Sequence, residues 1–461
     1  MSSATDIQLL PSEVLRNILF FVRNEKNGPC SIKECRLVSH YFNNAASPLL
    51  LTQVSVCLTS KSCNRLEDIC NHPVFSKSVQ SVRIVTSYYE AELACNRPLF
   101  MLEAKARLLR HVETMERSRS YRNKYPHTQE QSRWLSDMAW RTEPEFEQLF
   151  SDQVDEESPT PTQRLFLKLY DMYKELYNDQ QQLREGQSHI TRLCAALSSL
   201  SNLVSFELND IRNMGGMEHL DASDFAHTGY DYTILQHFSP ILRKSRWCGS
   251  FKTIHTATPP VEMIGTLCSE LADKGLRPGI IRLRLVPPPS MQAWQLSPSQ
   301  QSGVKKLVAQ TTKLALYVDF QARSYELKNN PKHEMLALCS ITQSWMSAPH
   351  LEDMHVEFIG YPPLNIRPTV SLDDILPANL SWPWLRSLSL HNQPFTAMEL
   401  KSLVARHSET LRDLDLQACW LADGSWDDVK EAVQNQQELE RSSIKYPAGG
   451  NQSELTDAML L

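Results

Sequence analysis

The first strong hydrophobic pattern along the chain is LPSEVLRNILFFV, residues 10–22. Its apolar positions recur at helical spacing and form two neighbouring stripes. One stripe consists of Leu15, Ile18, Leu19 and Val22, and the other of Val14, Ile18 and Phe21. A surface helix usually buries a single stripe against its own protein. The pattern therefore predicts a helix with one apolar side left for another domain or another protein.

Helix signals continue to about residue 48. Pro11 suits the first turn of a helix, where the missing N–H costs nothing, and Gly28-Pro29 predicts its end. Ser31 is a candidate N-cap for a second helix, with Glu34 three residues later as its capping-box partner. So few short helices enclose only a marginal core. We therefore expect the unpaired stripe to require a partner.

A second pattern, apolar-x-x-apolar-x-apolar, recurs through the rest of the chain and predicts short strands. Copies start at Val79, Leu203, Ile280, Leu351, Leu385 and Leu411, with a less regular one at residues 314–318. Helical periodicity separates several of them, as in TAMELKSLVARHS, residues 396–408. Helix–strand alternation at short intervals is typical of leucine-rich repeats, and the chain resembles a degenerate array of them. An unrelated α/β domain with several half-buried strands is the alternative.

The region from residue 90 to 195 interrupts this alternation. It is polar and rich in helical pattern, and residues 143–157 carry seven acids and no base. Such a segment usually forms a solvated loop with helical flanks, although it can also serve as a recognition or regulatory arm. We expect five regions: an N-terminal helical unit (1–50), a linker with a first strand (51–89), this insertion (90–195), a repeat-like domain (196–440) and a flexible tail (441–461).

Composition narrows the classes of function. The 461 residues are 41% hydrophobic with a net charge of −6, so a basic footprint for nucleic acid is absent. No apolar run is long enough for a membrane span, and the first ten residues lack the basic n-region of a secretory signal. The eleven cysteines favour a reducing compartment, the cytoplasm or nucleus.

Motifs for chemistry are also missing. No phosphate-binding loop, dinucleotide fingerprint, zinc-protease motif or nucleophile elbow occurs. Five residues are candidate zinc ligands: Cys30, Cys35, Cys63, Cys70 and His72. Their spacings lack the C-x2-C pair that is typical of structural zinc sites. Buried thiols that act as small hydrophobes explain them better. We expect no catalytic residue, no cofactor and no metal, although an enzyme site without a recognisable motif stays open.

The order of residues at the N-terminus resembles an F-box, over about a tenth of the chain. The matching positions are Leu10, Pro11, Glu13, Ile18, Leu37, Val38, Ser39 and Phe42. Phe42 stands where the family commonly has Trp. The resemblance implies that the apolar face docks on a Skp-type adaptor and, through it, on a cullin–RING ubiquitin ligase. The alternative is a helical hairpin packed on the rest of the chain.

The resemblance assigns roles to particular residues. Those expected to face the adaptor are Leu10, Pro11, Val14, Leu15, Ile18, Leu19 and Val38. Leu37 and Phe42 are expected in the core of the F-box. The function implied is that of a substrate receptor of an SCF-type ubiquitin ligase, in which the repeat-like domain binds an unknown target protein. A scaffold that binds the adaptor alone, without ubiquitin transfer, is the alternative within the same architecture.

Overall fold

A computed structural model describes residues 10–117, 159–210, 236–249, 258–320, 331–360, 371–376 and 380–450. These residues build a small N-terminal helical unit, a body formed by a parallel sheet and its helices, and a second helical unit inserted between two strands. The α/β class is therefore confirmed. Among the described residues, no helix combines the length and the apolar character needed to cross a bilayer.

The N-terminal unit contains α1 (Ser12–Asn24), α2 (Gly28–Cys35) and α3 (His40–Ala46), followed by a short 3-10 turn. The Gly28-Pro29 pair begins α2 instead of ending α1, because proline fits the first turn of a helix. The expected single second helix is two helices, since Ser39 accepts a hydrogen bond from the Phe42 N–H (3.3 Å) and starts α3. The core of the N-terminal unit consists of Leu15, Leu19, Ile32, Phe42, Ala45 and Ala46.

The central sheet has nine strands, all parallel, and each pairs with the next one along the chain. The first five are β1 (Gln53–Cys57), β2 (Ser81–Val85), β3 (Ser205–Asn209), β4 (Ile280–Leu285) and β5 (Lys313–Asp319). Next come β6 (Asp353–Ile359), β7 (Ser387–His391), β9 (Asp413–Gln417) and β11 (Arg441–Lys445). A separate three-stranded sheet contains β8 (Pro394–Thr396), β10 (Trp420–Asp423) and β12 (Ala448–Gly449).

Helices cover one face of the nine-stranded sheet. They are α4 (Ser60–Asn71), α5 (Phe75–Ser78), α9 (Ser188–Ser198), α10 (Glu262–Asp273), α11 (Pro298–Leu307), α12 (Pro331–Trp345), α13 (Leu372–Ile375), α14 (Ala397–Arg406) and α15 (Trp426–Gln434). Alternate strand residues, such as Leu283, Leu316 and Val356, point to this face and are buried with the helices in one continuous core. Side chains on successive strand positions face opposite ways, so the apolar alternation of the sequence fixes this face.

The inserted helical unit has a core of its own. It contains α6 (Ala91–Cys95), α7 (Arg97–Arg117), α8 (Pro161–Arg184) and a 3-10 segment, residues 236–242, with sixteen buried apolar residues. Buried Arg107 ties it together, since its guanidinium pairs with Glu103 (3.0 Å) and donates to the carbonyls of Ile241 (3.0 Å) and Arg243 (2.6 Å). A guanidinium out of water is stable only with such partners.

Three of the expected region boundaries are wrong. Residues 51–89 are part of the body, because β1 and β2 belong to the same sheet as the later strands. The insertion ends before residue 195, because α9 packs in the core of the sheet. The tail does not begin at residue 441, because β11 pairs with β9 and β12 pairs with β10. The acidic run 143–157 and residues 451–461 lie outside the described residues.

Candidate functional site

One candidate site is an apolar face on the N-terminal helical unit, formed by Val14, Ile18, Phe21, Leu37 and Val38. The first three share a stripe of α1, and the other two lie in the turn between α2 and α3. Phe21 is 71% exposed, Leu37 87% and Val38 65%. Single exposed apolar residues are common, but a group of large ones on one small unit indicates an interaction surface. We call these five residues the apolar face.

The structure separates the residues expected to face an adaptor. Val14, Ile18 and Val38 are exposed, as is Pro11 at the start of α1, whereas Leu10 is half-buried. Leu15 and Leu19 are instead buried, at 1% and 2% exposure, because their stripe of α1 packs on α2 and α3. These two residues were assigned to the wrong side of the helix.

Of the two residues expected in the core of the F-box, one is buried and the other is exposed. Phe42 is buried in the core of the helical unit, as the sequence predicts. Leu37 is not, because the break between α2 and α3 places it in an exposed turn. The core assignment of Leu37 comes from the F-box resemblance, and it is wrong because this residue lies outside the helices that enclose the core.

The helical unit is held to the start of the sheet by polar contacts. The Arg23 guanidinium donates to the carbonyl of Leu49 (2.7 Å) and to the Thr52 hydroxyl (3.0 Å) just before β1. The Tyr41 hydroxyl donates to the carbonyl of Leu10 and fixes the entry into α1. Val14, Ile18 and Phe21 take no part in these contacts and stay exposed.

The cysteines considered as zinc ligands behave as separate thiols. Cys63 and Cys70 are buried in the core of the body, and burial raises the pKa of Cys63 to about 11. Burial also raises the pKa of Cys70. Cys30 is exposed and Cys35 is half-buried in the separate N-terminal unit. Deprotonated thiols are the form that binds metal, so raised values oppose that role.

The second candidate site is the sheet face opposite the helices. From β4 to β9 its outward positions are mostly polar and half-exposed, and we call them the polar face: Arg282, Arg284, Tyr317, His355, Glu357, Ser389, His391, Asp415 and Gln417. Strand register aligns Arg284, Tyr317, Glu357, His391 and Gln417 in one row across five strands. A row of charged and aromatic groups on a rigid sheet can recognise a polar ligand.

At one end of the polar face, a buried carboxylate lies close to two arginine side chains. Glu207 on β3 lies 3.0 Å from the Arg83 guanidinium and 3.9 Å from that of Arg284. The Arg284 guanidinium also lies 4.3 Å from the centre of the Tyr317 ring, a cation–π geometry. These contacts hold Arg284 in place, and its side chain is 41% exposed.

In the middle of the polar face, on β6 and β7, two histidines and a carboxylate lie together. The rings of His355 and His391 meet edge to face at 4.6 Å, and the Tyr317 ring lies 4.8 Å from that of His355. Nε2 of His355 is 3.5 Å from Oε2 of Glu357. Nitrogen or oxygen atoms of His355, Glu357 and His391 all lie within 4.8 Å of one another, and all three side chains are half-buried.

The environment tunes the charge of this cluster. Burial and the neighbouring His391 lower the pKa of His355, against the opposing effect of Glu357. Partial burial works to raise the pKa of Asp415, but hydrogen bonds from His391, Gln417 and Ser443 outweigh it, and the pKa is lowered. The Asp415 carboxylate lies 3.0 Å from Nε2 of His391. The lowered pKa values favour the neutral form of the His355 ring and the ionised form of the Asp415 carboxylate.

This cluster was missed in the sequence because its members are far apart along the chain. Glu357 and His391 are neighbours only through the register of β6 on β7. The usable signal was present: each of the two follows a recognised strand motif at the same outward position. Aligning the motif copies by their apolar positions would have placed His391 beside Glu357.

No family model, curated protein or solved structure matches the chain.

Proposed function

We propose that this chain is the substrate-recognition subunit of an SCF-type cullin–RING ubiquitin ligase. Its N-terminal helical unit acts as the F-box and binds a Skp-type adaptor through the apolar face. The body binds a target protein. The ligase chemistry belongs to other subunits, and this chain contributes proximity, which raises the effective concentration of the target's lysines.

The observation that carries the proposal is the exposed apolar face on a unit with only six core residues. Burying a large aliphatic or aromatic side chain is worth about 1.5–3 kcal/mol, so several such residues support firm binding after association costs. The resemblance to an F-box at Leu10, Pro11, Glu13 and Ser39 implies a Skp-type adaptor as the partner.

The architecture of the body supports a repeat-like receptor. Nine parallel strands follow one another in chain order, and the helices between them lie on one face. Leucine-rich-repeat solenoids have this arrangement, with the strand face free for ligands. We propose that the body is a divergent array of this kind and that the polar face takes part in target binding.

The compartment we propose is the cytoplasm or the nucleus. All eleven cysteines are free thiols, and several are buried beside apolar neighbours. Reducing compartments keep such thiols free. Cullin–RING assembly requires the same location, so the two parts of the proposal agree.

The decisive experiment measures binding of a purified Skp-type adaptor to the full chain by calorimetry. Phe21→Asp and Leu37→Asp each place a charge in the apolar face without touching the core. We expect each to weaken binding by well over tenfold, since about 1.4 kcal/mol corresponds to tenfold. Met398→Asp is the matched control, because Met398 is a large exposed apolar residue on α14.

Unchanged adaptor binding in both face variants, with Met398→Asp also unchanged, would exclude this surface. Affinity purification then separates the receptor from a scaffold. A receptor brings down cullin together with the adaptor, and both are lost when residues 1–50 are deleted while targets remain. A scaffold brings down the adaptor without cullin.

A further inference from the structure

Three side chains of types that bind metal ions lie close together on two neighbouring strands of the polar face. His355 and Glu357 are two residues apart on β6, so they point to the same face, and His391 lies directly beside Glu357 on β7. Because hydrogen-bonded strands hold their backbones in register, this arrangement is rigid. Ligands placed on regular strands are better positioned than ligands on loops.

The distances suit a single ion. Two ligands of a tetrahedral zinc, each about 2.0–2.1 Å from the ion, lie roughly 3.4 Å apart. Nε2 of His355 and Oε2 of Glu357 are 3.5 Å apart. The third ligand atom lies within 4.8 Å of both, so it reaches the same point by a small side-chain rotation.

A missing hydrogen bond within the cluster also favours a bound ion. Nε2 of His355 is buried and makes no hydrogen bond with any described residue, and its separation from Glu357 is long for one. A buried polar atom without a partner costs free energy, and a bound ion would supply that partner.

We propose that His355, Glu357 and His391 form a binding site for a divalent transition metal ion, with zinc as the representative ion. Two imidazoles and one carboxylate form a ligand set that suits such metals. The Asp415 carboxylate, 3.0 Å from Nε2 of His391, is the positioning residue that orients this ring. Three protein ligands leave a fourth position open to a group from outside the chain. This proposal is independent of adaptor binding.

The test titrates Zn²⁺ into the chelator-treated full chain at neutral pH by calorimetry. We expect one tight equivalent, and a loss of affinity of at least tenfold in His355→Gln, Glu357→Gln and His391→Gln. The matched control, His350→Gln, removes an exposed histidine just before β6 and should bind as the unaltered chain does. Asp415→Asn should weaken binding less than the loss of a ligand.

Two further measurements keep the result clear. Co²⁺ in the site should show the absorption of nitrogen and oxygen ligands without a thiolate charge-transfer band, since no cysteine belongs to the cluster. Zn²⁺ should raise the melting temperature of the chain and of His350→Gln but not of His391→Gln. Absence of saturable binding, a thiolate band, or equal binding in the ligand variants would overturn the proposal.

Discussion

The N-terminal helical unit and the sheet body solve the burial of apolar side chains differently. The body encloses one core that runs from Val54 to Val433, and its outward strand positions from β4 to β9 are mostly polar. The helical unit has six core residues and leaves Val14, Ile18, Phe21, Leu37 and Val38 exposed. A large core can absorb every apolar stripe, whereas three short helices cannot.

The difference teaches how to interpret apolar residues in the two regions. In the body, an apolar strand position indicates packing and a polar outward position is a candidate for recognition. In the helical unit, apolar residues serve both purposes. The buried stripe of α1 holds the unit together, and the exposed apolar stripe is the candidate for recognition. Perturbing each region should therefore have different consequences.

The largest loss of stability is expected from Trp382→Ala in the body. Trp382 is 1% exposed, its indole N–H donates to the carbonyl of Met346 (2.8 Å), and its ring stacks on His407. Truncating a buried tryptophan costs about 3–5 kcal/mol. Urea denaturation followed by circular dichroism should show a lower midpoint for the main transition. An unchanged midpoint would contradict the view that the body has one cooperative core.

Leu19→Ala should lower stability locally. Leu19 is buried within the six-residue core, and losing a leucine from a core costs about 2–5 kcal/mol. That is a large loss for a six-residue core, so we expect hydrogen exchange to accelerate in residues 12–46. The main urea transition should stay in place, since these residues form a cluster separate from that of the sheet. A matching shift of the main transition would show that the two regions unfold together.

Acidification should weaken the body through His407. Its Nε2 accepts the backbone N–H of Trp382 (3.3 Å) and its Nδ1 donates to the Leu403 carbonyl (2.9 Å), and burial lowers its pKa in the folded state. The stabilisation is complete above the unfolded-state pKa of about 6.5 and is lost as the pH falls through the folded-state value.

The measurement is the free energy of unfolding across that pH range. His407→Gln should show a shallower decrease with acid than the unaltered chain. His355 has a lowered pKa as well, so part of the dependence should remain in this variant. An identical slope in both proteins would exclude His407 as a contributor.

The smallest effect on stability is expected from Phe21→Ser. Phe21 lies on the exposed stripe of α1, and such surface substitutions usually change stability within about ±0.5 kcal/mol. The same variant should weaken adaptor binding strongly if the apolar face is the interface. Thermal melting and calorimetry on one sample compare the two effects. A large loss of stability would mean that Phe21 supports the fold.

Much of the body follows from the sequence. All seven motif copies correspond to strands, because two inward apolar residues at alternate positions specify the buried face. Gly275 lies just after α10 with φ +87°, a left-handed conformation that is typical of the residue following a helix and that glycine adopts without strain. Strand β1 carries the same motif at Leu51, Val54 and Val56 and is therefore predictable from the same pattern, whereas β11 departs from it because Ser442 takes the second apolar position.

The sites follow from the sequence less completely. Helical periodicity identified two apolar stripes on α1, but the choice between Leu15 and Val14 as the exposed residue depends on where α2 and α3 pack. Leu37 depends on a helix break that the N-cap Ser39 creates. The cluster of His355, Glu357 and His391 depends on strand register, which becomes visible only when the strand motifs are aligned by their apolar positions.

The last strand of the large sheet has a consequence for self-association. Among the described residues, no strand pairs with the outer edge of β11. Such an edge offers unpaired backbone groups that can recruit another sheet. This strand is short and begins with Arg441 and ends with Lys445, both exposed. The charge of Arg441 is offset by its ion pair with Asp413 on β9, but a lysine on an edge strand disfavours such pairing, so Lys445 should help to keep the protein from forming sheet-to-sheet aggregates at this end.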